Sequence, residues 1–447
     1  MDEISLDPEL LRRYDRPGPC YASYPTTPHF TDSFGEAEFR RYALGSNAEP
    51  IPRQLSLYLH VPDCFSSGAY VERLVREIET VAKLFDRDRD VIQLHLGGGA
   101  PNFPGAAEVN ELISSLGRQF HFSTSSTRDF SIDLDPRVIR PGDVAACAAL
   151  GFNRASLAIR NFDPEVRCAV NDEQSVDQTM QVIADCRDSG FRSVNVDLVY
   201  GLPRQTLAGF GHTLEAILEA RPDRVATYGY AHLPEVLEAQ RRSRAIELPD
   251  AETRIGLLCL AIERLSAAGY RYIGMDQFAL PGDDLVRARE AGRLQRNFMG
   301  YTTHADSDLI GLGVSAMSHV GDSYSQNPPD LAAWEAAVDQ GRLPVWRGIE
   351  LDGDDVLRAD AIQELMCRGE VDIAGFEYRH RVDFPAYFAD TLEGLQPLVA
   401  NGLVRIDRDV IAATSHGRLL LRIIAMCFDR YLTSSQTGAR TRYSRVI

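Results

Sequence analysis

The sequence predicts an α/β protein, in which a partial (β/α) barrel of parallel strands is followed by a mostly helical, winged-helix-like C-terminal domain. From Leu55 onward, short apolar runs alternate with helical stretches that carry one apolar face. Strands that alternate with helices are typical of parallel βαβ units, and about six such units fit a partial or full barrel better than a two-layer sandwich. Beyond Pro344 the alternation ends and the pattern becomes mostly helical.

Each predicted strand is a short run of apolar residues, and each predicted helix repeats apolar residues every three or four positions. The predicted strands cover residues 55–60, 91–96, 130–134, 154–159, 192–200, 224–230 and 270–274. The predicted helices cover residues 70–85, 143–150, 178–188, 207–219 and 250–268. The apolar face of the first helix consists of Val71, Leu74, Ile78, Val81 and Leu84. In such barrels the chemistry lies in the loops that follow the carboxyl ends of the strands.

The chain divides into an N-terminal arm (1–54), a barrel domain (55–345) and a C-terminal helical domain (346–447). Prolines at positions 17, 19 and 25 break any helix in that part of the arm. In the C-terminal domain, two short apolar runs at 403–406 and 410–412 flank a polar turn, which predicts a small β-hairpin. Helices with a small β-wing resemble a winged helix, for which the mixed charge pattern favours a structural or substrate-covering role.

The charge balance excludes a nucleic-acid partner. The chain has 47 basic and 64 acidic residues, so its formal net charge is −17, whereas a phosphate backbone requires a basic surface. The longest apolar runs, such as 144–150, are far shorter than the roughly 20 residues of a membrane-spanning helix. The acidic N-terminus lacks the features of a signal peptide, and the eight cysteines are scattered, so we expect a reducing, cytoplasmic location.

Three motifs could carry chemistry. Glycines 97–99 follow an apolar strand, where they let the backbone approach a ligand closely, although such a turn is more often only structural. Asp197 interrupts an apolar strand, so its carboxylate is either a functional group or a cap on a neighbouring loop. Cys64 begins the loop after the first strand, and a lone packed thiol is the simpler interpretation of it.

With their flanking residues, these motifs resemble one family along nearly the whole chain. The matching stretches are 21–26, 55–64, 97–101, 151–154, 196–205, 230–234, 274–276, 296–298, 300–303, 311–316 and 444–447. The family is oxygen-independent coproporphyrinogen III oxidase, also called coproporphyrinogen dehydrogenase, a radical S-adenosylmethionine (SAM) enzyme of haem biosynthesis. The resemblance implies a barrel of the radical SAM type with the C-terminal domain over its mouth, SAM and a [4Fe–4S] cluster as cofactors, and a porphyrinogen as the small-molecule partner.

In that family three cysteines, spaced C-x3-C-x2-C, hold the cluster, and SAM binds the fourth iron. All the thiolates must converge on one cluster from a single short loop. Here Cys64 matches the first ligand, but Gly68 and Val71 stand four and seven residues later, and the next cysteine is Cys147. The family's longer cysteine-containing loop is therefore missing. A vestigial Cys64 cannot hold a [4Fe–4S] cluster alone, so we expect the cluster to be absent.

The family's SAM contacts carry over position by position. Those retained are Tyr58, Gly98, Gly99, Asp197 and Ala231. Three others are changed: the family's Glu is Asp133, its Gln is Arg160 and its Arg is Asp172. In addition, Ala100 replaces the Thr after the glycines, and Cys20 replaces the Arg before the segment 21–26. The changes cluster in the cofactor site while the scaffold motifs are kept.

The sequence therefore predicts a family member with impaired catalysis, which would bind a porphyrin or porphyrinogen, regulate a haem-related process or assemble with an active paralogue. The first alternative is an active enzyme that converts coproporphyrinogen III to protoporphyrinogen IX. The second is a haem-binding chaperone, for which His60, Cys64 and His304 are candidate iron ligands.

Overall fold

The structure of the protein is a computed structural model, which describes residues 4–62, 68–98, 105–231, 247–304, 306–433 and 443–446. The arm carries two helices, α1 (Pro8–Tyr14) and α2 (Glu36–Asn47). Tyr21 and Phe34 of the arm are buried in the main hydrophobic core, so the arm is part of the folded body. None of the described helices is long and apolar enough to cross a membrane.

The central region alternates strands and helices, as predicted. In chain order its elements are β1 (Gln54–His60), α3 (Gly68–Ala82), β2 (Asp90–Gly97), α4 (Ala106–Gln119), β3 (His121–Phe122), β4 (Asp129–Leu134), α5 (Asp143–Ala149), β5 (Arg154–Ile159), α6 (Pro164–Val170), α7 (Val176–Asp188), β6 (Ser193–Tyr200), α8 (Leu207–Ala220), β7 (Arg224–Gly229), α9 (Ala251–Ala267), β8 (Arg271–Gly274), β9 (Gln277–Ala279), α10 (Asp284–Glu290), β10 (Gln295–Asn297), β11 (Gly300–Thr302), β12 (Ser307–Leu312), β13 (Met317–His319), β14 (Ser323–Gln326), α11 (Leu331–Asp339) and β15 (Arg347–Glu350).

All of these strands except β10 and β11 form one open, mixed sheet with a parallel centre, and β10 and β11 form a separate antiparallel pair. The parallel strands lie in the order β12, β1, β2, β4, β5, β6, β7. Antiparallel strands extend this centre on both sides, so that β15 and β8 are the edges in the described part of the chain. The partial barrel is therefore confirmed. The domain boundary at 345 stays a prediction, and β15, which lies beyond it, still pairs with β14 of the barrel sheet.

The two faces of the parallel strands differ in chemistry. Residues that alternate along a strand point to opposite faces. On β6, Val194, Val196 and Leu198 are fully buried, whereas Asn195 and Asp197 are only half-buried. The same alternation recurs on β1, β2, β4 and β5. One face thus packs under the helices, and the other lines a polar barrel interior.

Four helices of this region were not predicted from the sequence, namely α4, α6, α10 and α11. The helix α4 buries Val109, Leu112 and Leu116 at helical spacing, and the short α6 begins with Pro164 after the capping residue Asp163. The predicted helix over 70–85 ends at Ala82, although Leu84 is buried as expected.

The C-terminal region is helical with a small sheet. Its elements are α12 (Gly353–Arg368), β16 (Glu370–Asp372), α13 (Ile373–His380), α14 (Phe384–Tyr387), α15 (Ala389–Ala400), β17 (Val404–Ile406), β18 (Val410–Ala413), α16 (Leu421–Ala425) and α17 (Arg430–Thr433). The predicted hairpin is confirmed as the antiparallel pair of β17 and β18. The strand β16 pairs with the other side of β18, and at three residues it is too short to be recognised by alternation.

Arg422 of α16 joins the arm to the end of the chain. Its buried guanidinium donates to the backbone oxygen of Pro19 at 2.9 Å and to that of Gly18. From the other side it donates to the backbone oxygen of Arg445 at 2.9 Å. One side chain therefore fixes two backbone segments that lie at opposite ends of the sequence.

Replacement of Arg422 by Met should release these carbonyl groups. We expect the free energy of unfolding to fall by about 2 kcal/mol or more, because several buried hydrogen bonds to a charged donor are lost. Trypsin should also cleave the arm at Arg16 faster than in the unmodified protein. Chemical denaturation and timed proteolysis measure both effects, and Arg293→Met, at an exposed position, is the matched control. Unchanged cleavage in Arg422→Met would show that the hydrogen bonds of Arg422 do not hold the arm in place.

A second buried charge connects the first barrel helix to the last parallel strand. Glu77 of α3 accepts from the backbone N–H of Gly313 at 2.8 Å, from Nδ2 of Asn327 at 2.7 Å and from Nε1 of Trp334 at 3.0 Å. Burial raises the pKa of Glu77 to about 7, although the three donors act in the opposite direction. The carboxylate therefore fixes the loop after β12 against α3 and α11.

Replacement of Glu77 by Ala should lower the free energy of unfolding by about 3 kcal/mol, because it leaves buried donors without acceptors. Urea denaturation measures the change. Glu79→Ala, an exposed position on the same helix, should alter stability by less than about 0.5 kcal/mol. Equal effects of the two substitutions would show that the buried acceptor contributes nothing.

Candidate functional site

Most of the predicted site residues lie at the carboxyl edge of the parallel strands. Tyr58 is on β1, Gly98 follows β2, Asp133 is on β4, Arg160 follows β5 and Asp197 is on β6. These strands are sequential neighbours in the sheet, so the fold places the residues side by side. Cys64, Gly99 and Ala100 lie outside the described residues.

Tyr58 is held by two histidines. Its hydroxyl is 2.8 Å from Nδ1 of His60, and its ring stacks on that of His95 with centroids 5.6 Å apart. Burial raises the pKa of Tyr58 and lowers that of His60, so both groups are uncharged near neutral pH. The stacked rings of Tyr58 and His95 form a flat aromatic wall at the edge of the barrel interior.

The glycine turn meets Asp133. The N–H of Gly98 donates to Oδ2 of Asp133 at 3.4 Å. Gly98 has a φ of +119°, and a Cβ there would collide with the ring of His60, so only glycine fits. Nε2 of His95 is 3.7 Å from Oδ1 of Asp133. The carboxylate thus lies between the turn and an imidazole.

Asp197 is the second carboxylate of the site. It accepts from Oγ of Ser156 at 3.0 Å and from Nδ2 of Asn195 at 2.8 Å. Burial raises the pKa of Asp197 to about 6, and the nearby charge of Asp133 raises it further, against the effect of the two donors. The capping interpretation is therefore incomplete, because this carboxylate bonds to side chains that line the barrel interior.

The two charge changes have different surroundings. Asp172 is buried and accepts from Nη1 of Arg137 at 3.2 Å, while the same guanidinium binds Asp135 at 2.7 Å. The charge of Asp172 is thus neutralised within the protein. Arg160 is half-buried and has no hydrogen-bond or ion-pair partner among the described residues. It is a cation that could pair with an anionic group of a ligand.

A cavity of about 830 Å³ adjoins this edge. Ala231, just after β7, lies in its wall together with Tyr228, which also lines the smaller barrel-interior cavity beside Asp197. The arm contributes Cys20, an exposed thiol. The basic residues on its wall are Arg254, Arg296, Arg422 and Arg445, and one carboxylate, Asp276, faces them.

The two candidate haem ligands that the structure describes, His60 and His304, lie far apart, and Cys64 is outside the described residues. His60 ends β1 at the carboxyl edge of the sheet. His304 precedes β12 and is influenced by Asp129 and Arg154, which begin β4 and β5 at the amino ends of the strands. The two imidazoles are therefore at opposite ends of the barrel. Within the described ranges, no group of three or more His, Cys, Asp or Glu side chains is placed to hold a metal ion.

Several site residues were missed by the sequence analysis. His95 precedes the glycine turn by two residues, so the alternation of β2 could have placed it on the same face as Gln93. Asp276 and Arg296 lie in stretches quoted for the resemblance, but no role was assigned to either. Their importance depends on a cavity that forms between distant segments.

The raised pKa of Asp197 should be observable. In the unfolded chain its pKa is about 3.9, so between about pH 4 and 6 the folded protein holds a proton that the unfolded chain releases. The free energy of unfolding should therefore decrease as the pH rises through this window. Asp197→Asn should remove both the slope and an aspartate resonance that titrates near pH 6 in carbon-13 NMR. Asp188→Asn, at an exposed position, should retain them, and a wild-type spectrum without such a resonance would refute the assignment.

Comparisons with known proteins identify relatives of the whole chain. The family model "Radical SAM superfamily" matches residues 58–217, and "HemN C-terminal domain" matches residues 351–420. The oxygen-independent coproporphyrinogen III oxidase of Pseudomonas aeruginosa is 42% identical over 464 residues and is covered completely, as is this chain. The Escherichia coli K12 enzyme of the same name is 39% identical, with the same coverage.

A solved structure agrees with these sequence matches. The coproporphyrinogen III oxidase of Escherichia coli, described as a radical SAM enzyme, superposes with a TM-score of 0.89 at 39% identity and covers 96% of this chain and all of its own. Identity at this level along the entire length is shared by descent and extends to the C-terminal helices. This chain belongs to the oxygen-independent coproporphyrinogen III oxidase family of radical SAM proteins.

Proposed function

We propose that this chain binds a coproporphyrinogen-type tetrapyrrole in the cavity beneath the arm and does not carry out the radical reaction by itself. The relatives that match the whole chain are coproporphyrinogen III oxidases. The cavity, of about 830 Å³, is at the upper end of the range for small-molecule sites. Among its arginines, Arg254 and Arg445 are paired with Asp15, and Arg422 donates to backbone oxygens. Arg296 is therefore the cation that suits a carboxylate of such a ligand.

The observation that carries the second half of the proposal is the cysteine content of the connection between β1 and α3. Residues 61–67 contain one cysteine, Cys64, and α3 begins at Gly68. Three thiolates are required to hold the family's cluster beside SAM. The donor set of this connection, with Cys64 as its one thiol, does not fit that cluster.

The SAM site supports the same conclusion. Tyr58, Gly98, Asp133, Asp197 and Ala231 could still form a pocket for a nucleoside. The position of the family's Arg is occupied by Asp172, whose carboxylate is already paired with Arg137. Without the cluster's open iron position and without that cation, the methionine part of SAM loses charged contacts of roughly 1.5–3 kcal/mol each. We therefore expect the affinity for SAM to be at least about tenfold lower than that of an intact site.

The alternative is an active oxidase that converts coproporphyrinogen III to protoporphyrinogen IX. The comparisons favour this alternative over the loss of activity, because the relatives that match the chain from end to end carry the name of the active enzyme.

The length of the alignment, by contrast, supports the proposed loss of the loop. The alignment with the Pseudomonas aeruginosa relative spans 464 residues, whereas this chain has 447. The relative therefore carries residues that have no counterpart here, which agrees with a shorter cluster loop.

The experiment that separates these functions is anaerobic reconstitution with iron and sulfide, followed by gel filtration. For the proposed function we expect far fewer than four iron atoms per chain, no 5′-deoxyadenosine from SAM and dithionite, and retention of coproporphyrinogen III. The Pseudomonas aeruginosa enzyme, treated in parallel, is the positive control, and Cys64→Ala shows whether any bound iron depends on that thiol.

Turnover of coproporphyrinogen III with stable iron near four per chain would replace the proposed function by the active alternative. If the protein does not retain coproporphyrinogen III and does not load iron, the proposed tetrapyrrole binding is rejected. In each case the circular dichroism spectrum of the reconstituted protein establishes that the chain is folded.

A further inference from the structure

We propose, as an extension that rests on the proposed function, that Asp276 accepts the pyrrole N–H groups of the bound tetrapyrrole while Arg296 holds one of its propionate carboxylates. Asp276 is the carboxylate that faces the basic wall of the large cavity. The proposal identifies the groups that would recognise this ligand class.

The backbone presents Asp276 to the cavity at some cost. Met275 and Asp276 form the tight turn between β8 and β9, and their φ angles are +44° and +61°. Such turns usually contain Asn and Gly, because a side chain with positive φ is strained. Both residues line the cavity. Strained positions of this kind concentrate at ligand sites.

The carboxylate of Asp276 is left unsatisfied by the residues that the structure describes. The backbone of Asp276 is bonded, since its oxygen accepts from the N–H of Thr227 at 2.9 Å. Its carboxylate, by contrast, takes part in no hydrogen bond or ion pair among the described residues. Burial raises the pKa of Asp276 to about 6, against the opposing charges of Arg422 and Arg296. A half-buried carboxylate without donors is ready to accept N–H groups from a ligand.

Arg296 is a complementary, oriented cation. Its guanidinium stands 5.2 Å from the centroid of Tyr301, and its Nε donates to the backbone oxygen of Cys20 at 3.4 Å. Its own carbonyl accepts from Nε2 of Gln363 at 2.7 Å. It forms no ion pair with Asp276 or with any other described acid. The side chain is therefore held in place with its charge available to a carboxylate.

Together these groups match the chemistry of a porphyrinogen. Its ring carries pyrrole N–H donors towards the centre, and its rim carries propionate carboxylates. Asp276 supplies an acceptor for the N–H groups, and Arg296, which has no ion pair among the described residues, supplies a cation for a propionate. Arg254 and Arg445 are already paired with Asp15. Arg422 contributes to the local positive charge but is occupied by backbone carbonyls, so the carboxylate partner assigned here is Arg296.

The test compares two ligands that share the propionates and differ in the N–H groups. Coproporphyrinogen III has pyrrole N–H groups, and palladium(II) coproporphyrin III has none and takes no axial ligand. Binding is measured by anaerobic ultrafiltration, with absorbance as the readout after oxidation of the porphyrinogen. Asp276→Asn should weaken coproporphyrinogen III binding tenfold or more, and binding of the palladium complex less than twofold. Arg296→Gln should weaken both ligands tenfold.

The controls are Asp188→Asn and Arg293→Gln, at exposed positions outside the cavity, and neither should alter binding. Asn tolerates the backbone of the turn as well as Asp does, so the substitution preserves the fold. If the wild-type protein binds and Asp276→Asn leaves coproporphyrinogen III binding unchanged, or weakens both ligands equally, the inference is overturned while the proposed function remains. If the wild-type protein binds neither ligand, the proposed function is overturned and the inference with it.

Discussion

The structure depends on the alternation of side chains along the parallel strands. A parallel sheet requires helices over one face, and the apolar residues of β1, β2, β4, β5 and β6 supply that contact. The same alternation leaves every second residue in the barrel interior. Because those positions need not be apolar, they can carry tyrosine, histidine, serine and aspartate. The candidate site is therefore a direct consequence of how the sheet is covered.

Charge in the interior is controlled by partners and burial. Asp133 and Asp197 repel one another, and burial in the barrel raises the pKa of Asp197 to about 6. Asp172 is paired with Arg137, whereas Arg160 has no ion-pair partner among the described residues. If these two positions contact the ligand as the resemblance implies, the change from Arg to Asp172 removes one ligand-directed charge and Arg160 adds another.

The large cavity is made by the chain ends as much as by the barrel. The arm lies against the barrel mouth, and Arg422 bonds it to the residues before the C-terminus. These hydrogen bonds of Arg422 hold the two segments that contribute Cys20 and Arg445 to the cavity wall. The strained turn of Met275 and Asp276 closes another side. The ligand recognition that we propose therefore depends on segments that are remote from the cluster loop.

The sequence alone determined the fold class and six of the seven parallel strands from β12 to β7, since alternating and helical periodicities are local properties of the chain. Local strand motifs also marked Gly98 and Asp197, whereas Tyr58 and Asp133 were identified only through the resemblance to the family. Short elements such as β16 and the helix α6 were not predicted, as they contain too few residues for a periodic signal. Only the tertiary structure placed Asp276 and Arg296 in the wall of the same cavity. Contacts between residues far apart in sequence follow from packing, and no local pattern encodes the cavity that such packing encloses.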